Sequence, residues 1–258
     1  MEKKKNVQEI FGLSEMKTWA LWRAVVAELI GTMMLVLVVT ASVLSWTPVA
    51  APPVVQISLA VGLVVASMAQ ALGHVSGGHI NPAVTLGMLV ARYVSVVRAL
   101  LYIMAQCVGA LAASAILKGL TPTDKQGNLG MTQLGEGVNS GQAFGVELLI
   151  TFILVLTVFG VCDERRNDVK GTGPLAIGLS VTASHLGALP YTGAAMNPAR
   201  SFGPAVITGI WANHWVYWAG PISGGILAAL LYTYVFRAPK AASYDLEMDN
   251  YGKRNTQP

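Results

Sequence analysis

The sequence predicts an all-α membrane protein with six transmembrane helices and two re-entrant half-helices, arranged as an inverted repeat. Three observations carry that expectation: apolar windows long enough to cross a bilayer, a half-chain that resembles the other half, and a short apolar segment after an Asn-Pro step in each. Composition agrees, since 53% of the 258 residues are hydrophobic and 12% charged, where soluble domains carry about a quarter charged.

A helix crosses a hydrocarbon core of about 30 Å in roughly 20 residues. Windows of that kind are Ala24 to Leu44, Val54 to Leu72, Ala99 to Leu117, Phe144 to Val161, Pro174 to Leu189 and Trp215 to Phe236. They divide the chain into an N-terminal tail (1–18), a first repeat (19–118), a linker rich in Gly, Thr, Asn and Asp (119–141), a second repeat (142–237) and a C-terminal tail (238–258). The linker reads as an external loop without its own core, and both tails read as polar and mobile. Lys3, Lys4 and Lys5 precede no short apolar core with a small-residue cleavage site, so the first span is expected to stay in the mature chain. With both termini cytoplasmic, 14 of the 17 Lys and Arg face inward, leaving Lys118, Lys125 and Arg200. That asymmetry fits the positive-inside rule and an even number of spans. It also accounts for the net charge of +4 without nucleic acid. Cys107 and Cys162, in different apolar spans, give no support to a disulfide framework and read as packed thiols.

A shift of 116 residues lays Leu59–Ala83 over Leu175–Ala199 without a gap, with nine identities: Leu59/Leu175, Ala60/Ala176, Gly62/Gly178, Leu63/Leu179, Val65/Val181, Gly77/Gly193, Asn81/Asn197, Pro82/Pro198 and Ala83/Ala199. Upstream, each half has one acid early in an apolar span, Glu28 and Glu147. Three spans per half is an odd number, so the second half is inverted relative to the first. Inverted repeats bind or conduct near the midplane.

In each half the second span leads through glycines to Asn-Pro-Ala, at 81–83 and 197–199. Asn is a preferred N-cap, and Pro suits the first helical turn because its missing N–H has no partner there. The apolar stretches that follow, 81–91 and 197–208, reach about half a bilayer at 1.5 Å per residue. Entering from opposite faces, they bring two helix N-termini together near the centre. Backbone of this kind is tolerated at that depth only where it lines a cavity or is buried in protein.

The segments Ser-Gly-Gly-His-Ile-Asn-Pro-Ala-Val-Thr (76–85) and Asn-Pro-Ala-Arg-Ser-Phe-Gly-Pro-Ala (197–205) resemble the two signature segments of the aquaporin family, over roughly residues 19–236. The resemblance implies a passive, single-file water channel in which Asn81 and Asn197 donate to a central water and break the oriented chain that proton hopping needs. The two half-helix dipoles, about half a positive charge each, oppose cations. It further implies a constriction made by Val61, His185, Ala194 and Arg200, a homotetramer in the plasma membrane, and no cofactor. Arg200 stands out on its own as a cation at membrane depth; a structural Arg tied to loop carbonyls is the other reading. Ser201, Ala205, Tyr217 and Trp218 fit the water-selective pattern, where glycerol-conducting members carry Asp after the Arg. Val61 departs from it, because water-selective relatives usually place Phe there, and a leak of urea is the alternative. Ala194 stands where mercury-sensitive relatives carry Cys.

Glu28 and Glu147 are expected to accept from backbone N–H groups of the re-entrant loops. His74 and His79 are candidates for the inner vestibule, with bonding to loop backbone as the alternative. Gly62, Gly109, Gly178, Gly224 and Gly225 are expected at close helix crossings. Two other classes weigh against this reading. An alternating-access transporter also uses broken helices in inverted repeats, but no carboxylate lies beside the Asn pair. An intramembrane enzyme needs a nucleophile and base or a ligand cluster, and the sequence offers neither.

Overall fold

A computed structural model describes residues 11–47, 51–166, 168 and 171–239, and within these every regular element is helical. After a 3-10 turn at Leu13–Lys17 come α1 (Trp19–Ser42), α2 (Val54–Ser76), α3 (Pro82–Val90), α4 (Val96–Leu120), α5 (Ser140–Val161), α6 (Gly173–Thr192), α7 (Pro198–Thr208) and α8 (Val216–Leu231), which ends in a π-helical turn at Tyr232–Phe236. Five of the long helices, α1, α2, α4, α5 and α8 with its π turn, are long and apolar enough to cross a membrane. Helix α6 has 20 residues but carries Ser180, Thr182, Ser184 and His185, which lower its hydropathy. Its polar stripe is spent inside the fold, where Thr182, Ser184 and His185 are buried.

Each half repeats one packing scheme. α1 lies on α4 and α2, as α5 lies on α8 and α6, and the halves join where α2 crosses α6. At that crossing a Cβ on Gly178 would run into Gly62 O, and one on Gly62 would meet Gly178 O and Thr182. The pair Gly62/Gly178 thus sits where only hydrogen fits, on the two-fold of the repeat. The short helices cross over: α3 of the first half packs on α8, and α7 of the second on α4.

Some expectations are corrected. The second span does not end at Leu72 but runs through residues 73–76 to the end of α2, and α4 runs on to Leu120. The linker is not coreless. Leu129, Met131 and Thr132 are buried in it, and Leu129 packs with Leu44 and Leu117. Glu15, assigned to a mobile tail, pairs with Arg98. Cys162 is no packed span residue but an exposed cap of α5, while Cys107 is partly buried. The expectations for residues 1–10, Lys170 and 240–258 fall outside the described residues.

Candidate functional site

The two Asn-Pro steps do locally what their chemistry dictates. Asn81 Oδ1 accepts from Ala83 N at 2.8 Å, and Asn197 Oδ1 from Ala199 N at 3.0 Å, so each caps its own half-helix. That fixes the amide orientation, because the oxygen is engaged and the nitrogen must point outward. Asn81 Nδ2 then donates to Met196 O at 2.8 Å, and Asn197 Nδ2 to Ile80 O at 2.9 Å. The half-helices meet N-terminus to N-terminus and tie each other through reciprocal bonds. Each Nδ2 uses one hydrogen in this way and keeps the second.

Two buried acids hold the loops that lead into these caps. Glu28 accepts from Ser76 Oγ (2.6 Å), His79 N (2.9 Å) and Ile80 N (2.6 Å), and also from Gln106 Nε2 (2.8 Å). Glu147 accepts from Thr192 Oγ1 (2.6 Å), Ala195 N (2.9 Å) and Met196 N (2.8 Å). Three of these contacts repeat at a spacing of 116 residues, and Tyr102 and Tyr217 repeat another by donating to Ser76 O and Thr192 O. Ile80 and Met196 adopt φ of 44° and 54°, a left-handed backbone uncommon for such side chains. The carboxylate clamps and the reciprocal Asn bonds hold both in that conformation.

A cavity of about 370 Å³ runs through the middle of this arrangement. Its walls come from α1, α2, α5 and α6 in pseudo-twofold pairs: Leu35 and Val39 opposite Leu154 and Val158, Val61 and Val65 opposite Ile177 and Val181. Polar side chains enter it at few places, namely Asn81, Asn197, His79, His185 and Arg200. Its far end opens beside Cys162 and Gly171. Arg200 also lines a shallower cavity of about 280 Å³ with Gly130, Thr132 and Gly193, so its side chain stands between the two spaces.

His185 and Arg200 are nearly inaccessible, at 2% and 4% exposure. His185 Nδ1 faces Val181 O at 3.0 Å. A carbonyl only accepts, so Nδ1 carries the proton and Nε2 is left as an acceptor. Arg200 Nη1 donates to Gly130 O at 2.6 Å. Arg200 thus has one nitrogen tied to a loop carbonyl while its side chain lines the cavity. No group of three or more His, Cys, Asp or Glu suited to a metal ion occurs among the described residues.

The profile of the family described as Major intrinsic protein matches residues 15–232. The chain belongs to the major intrinsic protein family. Among its relatives, this major intrinsic protein is similar to human (Homo sapiens) aquaporin-1, with 47% identity over 93% of this chain and 97% of that one. It is also similar to mouse (Mus musculus) aquaporin-4, with 52% identity over 85% of this chain and 69% of the other. The X-ray structure of the aquaglyceroporin from Plasmodium falciparum shares the fold, with a TM-score of 0.76, 24% identity, and coverage of 88% of this chain and 99% of that one.

Of the residues singled out in the sequence, this major intrinsic protein gathers Asn81, Asn197, Val61, His185, Arg200 and His79 on one cavity. Pro82 and Ala83, like Pro198 and Ala199, are buried as the first turns behind the caps. Ala194 is fully buried, outside both linings, and its neighbour Ala195 reaches the cavity instead. His74 is exposed on the last turn of α2 and is likewise outside the lining, whereas His79 is part of it. His79 turns its Nδ1 to Thr85 Oγ1 at 3.2 Å and its edge to Tyr102, so it is bonded to side chains and not to loop backbone. Sequence reasoning missed Ser76, Thr192, Gln106, Thr85 and Thr132. Ser76 and Thr192 align at the 116-residue shift and both carry a hydroxyl, a signal that a search for identities alone passes over.

Proposed function

We propose that this chain is a passive channel through which water crosses a membrane in single file, down an osmotic gradient, with protons and ions excluded. The observation that carries the reading is the pair of half-helix N-termini, each with a capping Asn whose amide nitrogen points outward, on one continuous cavity. In the middle of that cavity a water accepts from Asn81 and Asn197 Nδ2 and turns its hydrogens away along both arms. Its oxygen is then occupied, so a proton cannot hop through it, and the paired helix dipoles repel cations. Such electrostatic and geometric selection needs neither cofactor nor metal.

At the Arg200 end, His185 Nε2 accepts and the guanidinium donates, a pair complementary to one water. Val61 and Ala195, which line the same cavity, complete this constriction. Glu28 and Glu147 act as clamps for the loops and not as a relay, since neither lines the cavity and each already accepts several donors. The same fact disfavours an alternating-access transporter. The names of the aquaporin-1 and aquaporin-4 relatives agree with the channel reading. The setting is the plasma membrane, with both termini cytoplasmic, the Cys162 end of the cavity inward and the Arg200 end outward. The outward-facing apolar residues of α2 and α6, among them Leu59, Leu63, Leu175 and Leu179, are exposed in one subunit and suit the contacts of a homotetramer.

The test is stopped-flow shrinkage of proteoliposomes at several temperatures. Fast shrinkage with a low activation energy is the expected result; shrinkage no faster than bare lipid would overturn the reading. A urea gradient in the same vesicles examines Val61, with urea entry abolished by Val61→Phe as the sign that its small side chain leaves a gap.

A further inference from the structure

The two half-helices are supported differently, and the difference falls on the filter side. In the first repeat Thr85, on the first turns of α3, is held by Gln106, whose Nε2 donates to Thr85 Oγ1 at 3.0 Å. The 116-residue shift carries Thr85 to Ser201, directly after Arg200. The shift of 115 that carries Tyr102 to Tyr217 carries Gln106 to Pro221, which has no side-chain donor. The repeat therefore supplies no partner to Ser201. Thr132, from the linker between the repeats, fills that role: its Oγ1 donates to Ser201 Oγ at 2.7 Å, with both residues buried.

Thr132 lies two residues beyond Gly130, the carbonyl that anchors Arg200. Gly130 has φ of 67°, and a Cβ there would press on Thr40 at 2.9 Å and Val43 at 2.8 Å, so the linker is seated against α1 at this point. On its other side Thr132 backs onto Gly193. Arg200 Nε is buried and has no partner among the described residues, so the setting of the guanidinium depends on where the linker puts the Gly130 carbonyl. The Thr132 hydroxyl fixes that distance to α7.

We infer that Thr132 is a positioning residue for selectivity: through Ser201 it locks the linker to the half-helix, and so sets how far Arg200 narrows the passage. This rests on the reading of Arg200 as the cation of the filter. Without the lock, the guanidinium and its carbonyl move apart from the opposite wall, and neutral solutes wider than water pass.

The experiment compares full-length wild type, Thr132→Val, Thr132→Ser and Ser201→Ala in proteoliposomes, reading the ratio of urea to water permeability. Valine keeps the volume and removes the hydroxyl. The ratio is expected to rise roughly tenfold in Thr132→Val, the scale of one lost buried hydrogen bond, and to return in Thr132→Ser. Ser201→Ala is expected to raise it to the same extent, with no addition in the double variant. A wild-type ratio in Thr132→Val overturns the inference, and if that variant does not fold, a wild-type ratio in Ser201→Ala does so. Wild-type vesicles that shrink no faster than bare lipid would instead overturn the channel reading itself.

Discussion

The amide of Asn197 has one orientation that fits, because its oxygen caps Ala199 N and its nitrogen meets Ile80 O. Asn197→Asp keeps the cap but places a carboxylate oxygen against that carbonyl. The buried acceptor left without a donor costs about 1–3 kcal/mol, so a lowered thermal midpoint in detergent is expected, and an unchanged midpoint would show that the reciprocal bond contributes nothing. On the proposed reading of the constriction, His185→Ala removes a ring and an acceptor from the cavity that Arg200 also lines. Urea permeability relative to water is expected to rise several-fold, measured by vesicle light scattering. These residues were legible in the sequence because a polar group at membrane depth needs a reason. The amide orientation was not, since it depends on two carbonyls 115 and 117 residues away.

At the scale of elements, the half-helices exist because their loops are clamped. Nine residues of α3 and 11 of α7 are too few to be stable alone, and their caps and clamps supply what length does not. Glu147→Gln swaps one oxygen for an N–H donor that faces either Met196 N or the pair Thr192 Oγ1 and Ala195 N. A loss of about 1–3 kcal/mol is expected in chemical denaturation, with Glu28→Gln behaving alike; no loss in either would mean that the loops are set by packing. The half-helix bounds 81–91 and 197–208 were readable to within a residue, because Asn-Pro marks the start chemically. The ordered linker was not. Its composition of Gly, Thr, Asn and Asp reads as loop, and its burial comes from Leu129 and Thr132 meeting residues of α1, α4 and α7 far along the chain.

Across the whole molecule, a buried acid ties together parts of the chain 69 and 75 residues apart. Near the Cys162 end, Asp163 joins the turn after α5 to the end of α8, accepting from Arg165 N, Tyr232 Oη and Ala238 N at 3.0, 3.0 and 2.9 Å. Burial works to raise its carboxyl, but the bonds from Ala238, Arg165 and Tyr232 and the charge of Arg237 outweigh it and hold the pKa below the ordinary aspartate value. A group depressed in the folded state stabilises fully above its unfolded pKa, about 3.9, and that contribution is lost as pH falls through the lowered folded value. The protection of the Ala238 amide against exchange, relative to its intrinsic rate at each pH, is therefore expected to be high at neutral pH, to fall only in strong acid, and to be low at neutral pH in Asp163→Asn. Slow exchange in that variant would show that the clip is held by other contacts.

The central claim is that one cavity passes water and stops protons at the two Asn caps. Vesicles carrying the purified chain and a trapped pH-sensitive dye report both flows together, under an osmotic step and then a pH step. Water flow far above bare lipid is expected, with proton entry no faster than bare lipid. Proton entry that rises with the amount of protein, or water flow that does not, would contradict it.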